Sequence, residues 1–218
     1  MKTKLVRIVK SGSLFILILF FQSCASAPIN LEIAKEKVSE YYESGQYDKD
    51  AAKVVSNAIS EFGKLKVGDS SAVVFDIDET VLSNYEVIKE LDFGYVPGLW
   101  DKWIDEAKAP AITEVKKLYN YLLGRHVKVI FITGRKDYQY SATYKNLINA
   151  GYKNFDTLIV RSKNEYDLSA QQFKSMKREE LTAKGYKIIG DVGDQYSDLN
   201  GADHGIQVKI PNYLYIIK

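Results

Sequence analysis

The stretch Val73-Val74-Phe75-Asp76-Ile77-Asp78-Glu79-Thr80 constrains this chain more than any other. A short apolar, β-branched run breaks abruptly into acidic residues. That is the pattern of a buried parallel strand whose C-terminal end opens into a polar crevice. In open α/β sheets, ligands bind at that end. Asp76 and Asp78 are two residues apart, so an extended backbone puts them on one side. Two neighbouring carboxylates repel, and are costly together unless a cation or a shared proton sits between them.

Similar strand text recurs downstream. Residues 127–132 run into Thr133-Gly134-Arg135, residues 157–161 form a short third strand, residues 186–190 lead into Asp191–Asp198, and residues 206–210 form a fifth. Helical periodicity fills the gaps. One helix covers 111–123 between Pro110 and Gly124, and one runs from Asp137 to Ala150 before Gly151. Another lies within 169–184, beginning at Ser169 or at Ser175. This alternation predicts an α/β fold with a Rossmann-like parallel sheet, helices on both faces and right-handed crossovers. Upstream, Asn30 can cap a helix to about Tyr42. Gly45 and Asp48 mark a break, and 49–66 has the spacing of a second helix. Residues 24–68 are thus a linker and N-terminal helical extension, and 69–218 the main domain. Residues 81–109 have no clear period and are rich in aromatics, among them Tyr85, Trp100 and Trp103.

At 218 residues the chain is long enough for one domain with an insertion. Its formal charge of +2 is misleading, because residues 1–23 carry Lys2, Lys4, Arg7 and Lys10 and no acid. The rest holds 26 basic against 28 acidic residues, a net −2, so nothing argues for binding a nucleic-acid backbone. The basic start, the apolar run at 14–21 and Cys24 just beyond it read as a secretory signal over 1–23. Cys24 is the only cysteine, which excludes an internal disulfide. Its setting resembles a bacterial lipobox. The resemblance implies lipidation of Cys24, an anchor in the cell envelope, and, with Ala25 following, the outer membrane or periplasmic face. An ordinary signal cleaved near Ala25 or Ala27 is the alternative. There is no GxSxG, and with one Cys and His126 and His204 outside the acidic motifs, a zinc site is disfavoured.

The string DxDxT after an apolar strand resembles the first motif of the haloacid dehalogenase superfamily. The longer FDIDETVLSNY is similar to its acid phosphatase branch, the bacterial class C acid phosphatases and the plant acid phosphatases with their vegetative storage relatives. Thr133-Gly134-Arg135 and Asp191–Asp198 follow in the order of the second and fourth motifs. GDVGDQYSDL resembles the plant string GNxGDQWSDL. Phe173-Lys174-Ser175 resembles the third-motif strings YKS and TKS, with Lys177 as the competing lysine.

The resemblance implies a metal-dependent phosphomonoesterase. Asp76 would be the nucleophile that forms an aspartyl-phosphate, and Asp78 the general acid and base. Thr133, Gly134 and Lys174 would hold the phosphoryl oxygens, with Arg135 in support. Mg²⁺ would sit on Asp76, the Asp78 carbonyl and Asp194, while Asp198 holds a bound water or Lys174. The insert at 81–109 lies where the superfamily places a small helical cap, which makes Tyr85, Trp100 and Trp103 candidates for a lid that stacks on nucleotides or aryl phosphates. At their i,i+3 spacing, Trp100 and Trp103 also fit as core of that cap. The rival readings are a dehalogenase, for which Asp78 would be superfluous, and a non-catalytic lipid-anchored surface protein on the same fold.

Overall fold

In the computed structural model, which describes residues 28–217, the acid-tipped stretch begins as β1 (Ser71–Phe75), every residue of which is buried. It pairs in parallel with β2 (Lys128–Lys136) on one side and β4 (Lys187–Gly193) on the other. With β3 (Thr157–Arg161) and β5 (Ile206–Lys209) they form a five-stranded sheet in the order β3-β2-β1-β4-β5. The chain crosses over between neighbouring parallel strands through α5 (Thr113–Gly124) and α6 (Tyr140–Asn149), and α7 (Ala170–Ala183) carries it from β3 across the sheet to β4. The sequence expectations for residues 1–27, the signal segment over 1–23 and the lipid on Cys24, lie outside the described residues. No helix among the described residues is long and apolar enough to cross a membrane.

Alternation along the strands builds two cores. Val73 and Phe75 of β1, with Val129 and Phe131 of β2, face the larger core. There they meet Val55 and Phe62 of α2 (Gln46–Gly63), Val115 and Leu118 of α5, and Leu147 of α6. Val74, Ile130 and Ile132 face the smaller core under Phe173 and Leu181 of α7. Helices therefore cover both faces.

Upstream of the sheet, α1 (Leu31–Glu43) is capped by Asn30, whose Oδ1 accepts from Glu32 N at 2.9 Å. α1 buries none of its residues fully and lies on α2. Several boundaries differ from the sequence expectation. Gly45 alone supplies the break, at φ +80°, and Asp48 already lies inside α2, where a carboxylate in the first turn is favourable. α5 starts at Thr113, because Ala111 bridges Leu82 and Ile112 N donates to Val81 O. Ser169, with its hydroxyl on Gln172 N, starts α7. The insert holds α3 (Tyr85–Glu90) and α4 (Pro97–Glu106). They are joined through Asp92 and Phe93, and α4 is closed by Ala107, all three at positive φ without being glycine.

Candidate active site

Asp76 follows β1 directly, with its N–H donating to Val192 O of β4 at 2.9 Å. Thr133-Gly134-Arg135 lies in the last part of β2, and Asp194 and Asp198 follow β4. A parallel sheet delivers these strand ends to one edge. Lys174 reaches the same edge from the second turn of α7, being buried like Phe173 beside it.

The geometry is specific at each side chain. Lys174 Nζ donates to Asp76 Oδ1 and, at 2.6 Å, to Asp198 Oδ1. Thr80 donates from one hydroxyl, 3.2 Å from Asp76 Oδ2 and 3.1 Å from Asp194 Oδ1. Asp198 Oδ2 accepts from Gln195 N at 2.8 Å. Asp194 Oδ2 accepts from Gln195 Nε2 and Asn212 Nδ2, each at 2.6 Å. Arg135 grips Asp78 through Nε and Nη2, the shortest contact being 2.6 Å, and Asn84 Nδ2 adds a bond of 2.9 Å. Thr133 is fully buried, its Oγ1 accepting from Arg135 N. Lys177 points elsewhere, to Glu165 at 2.5 Å and Glu180 at 3.0 Å.

The electrostatics follow from this crowding. Burial acts against the charged form of Lys174, but Asp198 and Asp76 outweigh it and raise its pKa. Burial also pushes the Asp76 carboxyl well above its ordinary range. Repulsion from Asp198, Asp194 and Asp78 adds to this, against the pull of Lys174. Asp194 is raised to about 7 by burial and by Asp198. Asp78 behaves oppositely. Burial pushes it up, but the Arg135 guanidinium and the Asn84 amide hold it below the usual carboxylate range. Glu79, at φ +56° and buried, is raised to about 7 by burial and by Asp78, although Tyr215 Oη donates to it at 2.6 Å.

These groups floor a cavity of about 560 Å³, within the range of small-molecule sites. Asp76, Asp78, Gly134, Lys174, Asp194 and Asp198 line it. Phe93, Tyr95 and Trp100 of the insert close one side, and Leu214 and Tyr215 of the C-terminal segment also contribute. Of the proposed lid residues only Trp100 reaches it. Trp103 is buried beneath, its indole N–H donating to Asn84 Oδ1 at 2.8 Å. Tyr85 stacks on Tyr42 of α1, ring centroids 4.8 Å apart, and donates to Glu43. For those two the lid expectation is corrected: an apolar face that packs against the body leaves no face for a ligand.

No pattern in the sequence marks Glu79, Asn84, Gln195, Asn212 or Tyr215, and Thr80 is marked only by the motif letter. That letter was a signal for Thr80. The two C-terminal residues come from an irregular segment with no periodicity to mark them.

The carboxylate oxygens of Asp76, Asp194 and Asp198 lie within 4.8 Å of one another. Among the described residues, no N–H donates to the Asp78 carbonyl. An all-oxygen donor set, with the Asp76 and Asp194 carboxyls pushed up by burial and mutual repulsion, fits a hard divalent cation.

An acid-lined crevice at the carboxyl edge of a parallel sheet, holding a lysine on a buried aspartate, defines a phosphotransfer-type α/β enzyme. The sequence model of the HAD superfamily, subfamily IIIB (acid phosphatase), matches residues 21–218, and the chain belongs to that family. It is a phosphoric monoester hydrolase, and the acid phosphatases of this superfamily are metal-dependent. Its relatives include the stem 28 kDa glycoprotein of Glycine max, 36% identical over 189 residues, covering 84% of this chain and 74% of that protein. Acid phosphatase 1 of Solanum lycopersicum is 34% identical over 193 residues, covering 85% and 75%. The fold is similar to that of the class C acid phosphatase from Bacillus anthracis, solved with tungstate bound, with a TM-score of 0.68 at 23% identity over 85% of each chain.

Proposed function

We propose that this acid phosphatase is Mg²⁺-dependent and acts through a phosphoaspartyl intermediate on Asp76, with broad specificity favouring nucleotides or aryl phosphates. The observation that carries this reading is the fixation of Asp76, with Oδ1 on Lys174 and Oδ2 on Thr80, beside Asp78 in one cavity.

Asp76 attacks phosphorus and the bond to the leaving alcohol breaks, while Asp78 gives that oxygen a proton. Asp78 then takes a proton from the water that attacks the phosphoaspartate, which releases inorganic phosphate and restores Asp76. Arg135 and Asn84 keep Asp78 ionised in the resting site, which suits the second half. The negative charge of an arriving phosphate favours its protonated form, which suits the first. Gly134 N–H and Lys174 face the phosphoryl oxygens.

Asp76, Asp194 and the Asp78 carbonyl would hold the cation. Asp198, which accepts from Lys174 Nζ at 2.6 Å, takes the outer role of holding that lysine. When bound, Mg²⁺ supplies positive charge to the crowded carboxylates and to the phosphoryl group. Nothing favours the non-catalytic alternative.

An acid quench during turnover of a ³²P-labelled monoester should trap label on Asp76. Asp76→Asn should lower p-nitrophenyl phosphate hydrolysis at least about a thousandfold, roughly 4 kcal/mol in barrier. Chelation should abolish turnover and Mg²⁺ restore it. Near-normal turnover by purified Asp76→Asn, or full activity in protein shown to be metal-free, refutes the mechanism.

The basic segment, apolar run and lone Cys24 also support a lipid-anchored location in the cell envelope, at the outer membrane or its periplasmic face. Palmitate labelling that is lost in Cys24→Ser is the expected result. An unlabelled wild type refutes the anchor.

A further inference from the structure

We propose that Arg161 is a catalytic residue of this enzyme, donating from Nε and Nη2 to an oxygen of the substrate's phosphoryl group beside Gly134. The inference rests on the phosphatase reading of the cavity above.

Arg161 ends β3 and pairs in parallel register with Lys136, the last residue of β2. The sheet therefore delivers it to the edge where Thr133-Gly134-Arg135 emerges. Its guanidinium is half-buried, lies over the Phe173 ring at 4.9 Å, and lines the same cavity as Asp76 and Lys174. One end is anchored, since Nη1 donates to Leu168 O at 2.6 Å and Glu165 O at 3.3 Å. Nε turns toward Gly134, lying 3.9 Å from where a Cβ on that residue would be. A phosphoryl oxygen accepting the Gly134 N–H would come within reach of this donor.

Nε and Nη2 donate to no acceptor among the described residues, and no carboxylate there lies within ion-pair distance of Arg161. Burial lowers its pKa, with only the charge of Glu165 opposing. Neither Nε nor Nη2 is among the buried polar atoms left without a partner, so the two free donors of this half-buried, counter-ion-free guanidinium open to the cavity it lines. The neighbouring cations are already committed, Arg135 to Asp78 and Lys174 to Asp76 and Asp198. A phosphate dianion entering this cavity brings the charge Arg161 lacks, and a planar fork on a phosphoryl group is the geometry guanidinium favours.

The wild-type protein provides one test. Phenylglyoxal modification, mapped by peptide mass, should spare Arg161 in the presence of saturating inorganic phosphate and label it in its absence. The second test compares Arg161→Lys and Arg161→Gln with the wild type, each checked for folding by circular dichroism. The inhibition constant for inorganic phosphate should rise about tenfold or more. The kcat/KM for p-nitrophenyl phosphate should fall roughly tenfold to a hundredfold, less in the lysine variant, as for loss of a charge-assisted hydrogen bond.

An unchanged phosphate inhibition constant in a folded variant, or Arg161 labelling indifferent to phosphate, overturns the proposal. So does a loss confined to substrates with a second anionic group, such as a nucleoside bisphosphate. Failure of the underlying reading is distinct: the wild type would then not turn over any monoester, whatever Arg161 does.

Discussion

Replacing Lys174 by Met keeps the length and apolar stem of the side chain and removes its charge. The structure makes the consequence large. Lys174 is 6% exposed at its side chain, Asp76 8% and Asp198 5%, so three charged groups share a nearly dry volume. Removing one partner of a buried ion pair costs about 3–5 kcal/mol, because the remaining charge loses its compensation. The same change at Lys177 breaks a partly buried contact with Glu165 and a more exposed one with Glu180, both away from Asp76, and should cost less than the loss of Lys174. In turnover, the loss of one preorganised charge at the phosphoryl site should lower kcat by about a hundredfold to a thousandfold for Lys174→Met. Lys177→Met should stay within a few-fold of the wild type.

The stability effect has a pH signature. Asp76 already has a folded-state pKa above its unfolded value, and losing Lys174 raises it further. A carboxyl of that kind binds more protons in the native state, so its contribution to stability falls as pH rises. The Lys174→Met deficit in urea melts of metal-free protein should therefore be smaller near pH 4.5 than at pH 7.5. Initial rates on p-nitrophenyl phosphate, measured beside those melts, complete the assay. A folded Lys174→Met enzyme with near-normal kcat, or Lys177→Met as the inactive variant, refutes the assignment.

Trp100→Leu should lower kcat/KM for aryl phosphates and 5′-nucleotides about fivefold or more, with glycerol phosphate unaffected, since stacking on an aromatic face contributes about 1–3 kcal/mol. Tyr85→Leu and Trp103→Leu should lower stability without that selectivity, and equal losses on all substrates in Trp100→Leu would remove it from the pocket's recognition. Asp191 has its pKa pushed up to about 6 by burial, against the pull of Arg178, so stability should fall as pH rises from about 4 through 6. Asp191 can supply up to about 3 kcal/mol of that fall, and urea melts of Asp191→Asn should lack this component; matching slopes in the two proteins would show that Asp191 does not titrate there.

The sheet was legible because each of its central strands is buried on both faces and is therefore a continuous apolar run. Val73–Phe75 and Val129–Ile132 need no partner to be recognised. The acids were legible because charge at the end of such a run has no structural use. The insert was not. Its turns rest on Asp92, Phe93 and Ala107 at positive φ, where no glycine announces the bend. Whether an aromatic there faces ligand or body depends on α1, since Tyr85 is turned away by stacking on Tyr42. The C-terminal contributions were equally hidden. Asn212 and Tyr215 act through single hydrogen bonds to Asp194 and Glu79, across 18 and 136 residues of sequence, and a lone hydrogen bond leaves no periodic trace. Lys174 and Lys177 lie three residues apart on α7, and position along the helix alone does not separate them; the burial of Lys174 beside Phe173 does.

Those C-terminal contacts bear on how the site carries its charge. Tyr215 and Asn212 donate to Glu79 and Asp194, two acids whose pKa burial raises to about 7. Donated hydrogen bonds favour the ionised form, but here they only partly offset desolvation. Lys174 cannot complete the compensation, since it is already shared between Asp76 and Asp198. A cluster of this kind is poised between taking up protons and taking up a cation. Under the proposed mechanism, proton uptake would silence Asp76 as a nucleophile, whereas a divalent cation on the same oxygens would favour its ionised form. Cation binding and ionisation of Asp76 would then be linked as one equilibrium, with the segment that ties Asp194 and Glu79 in place helping to set its midpoint.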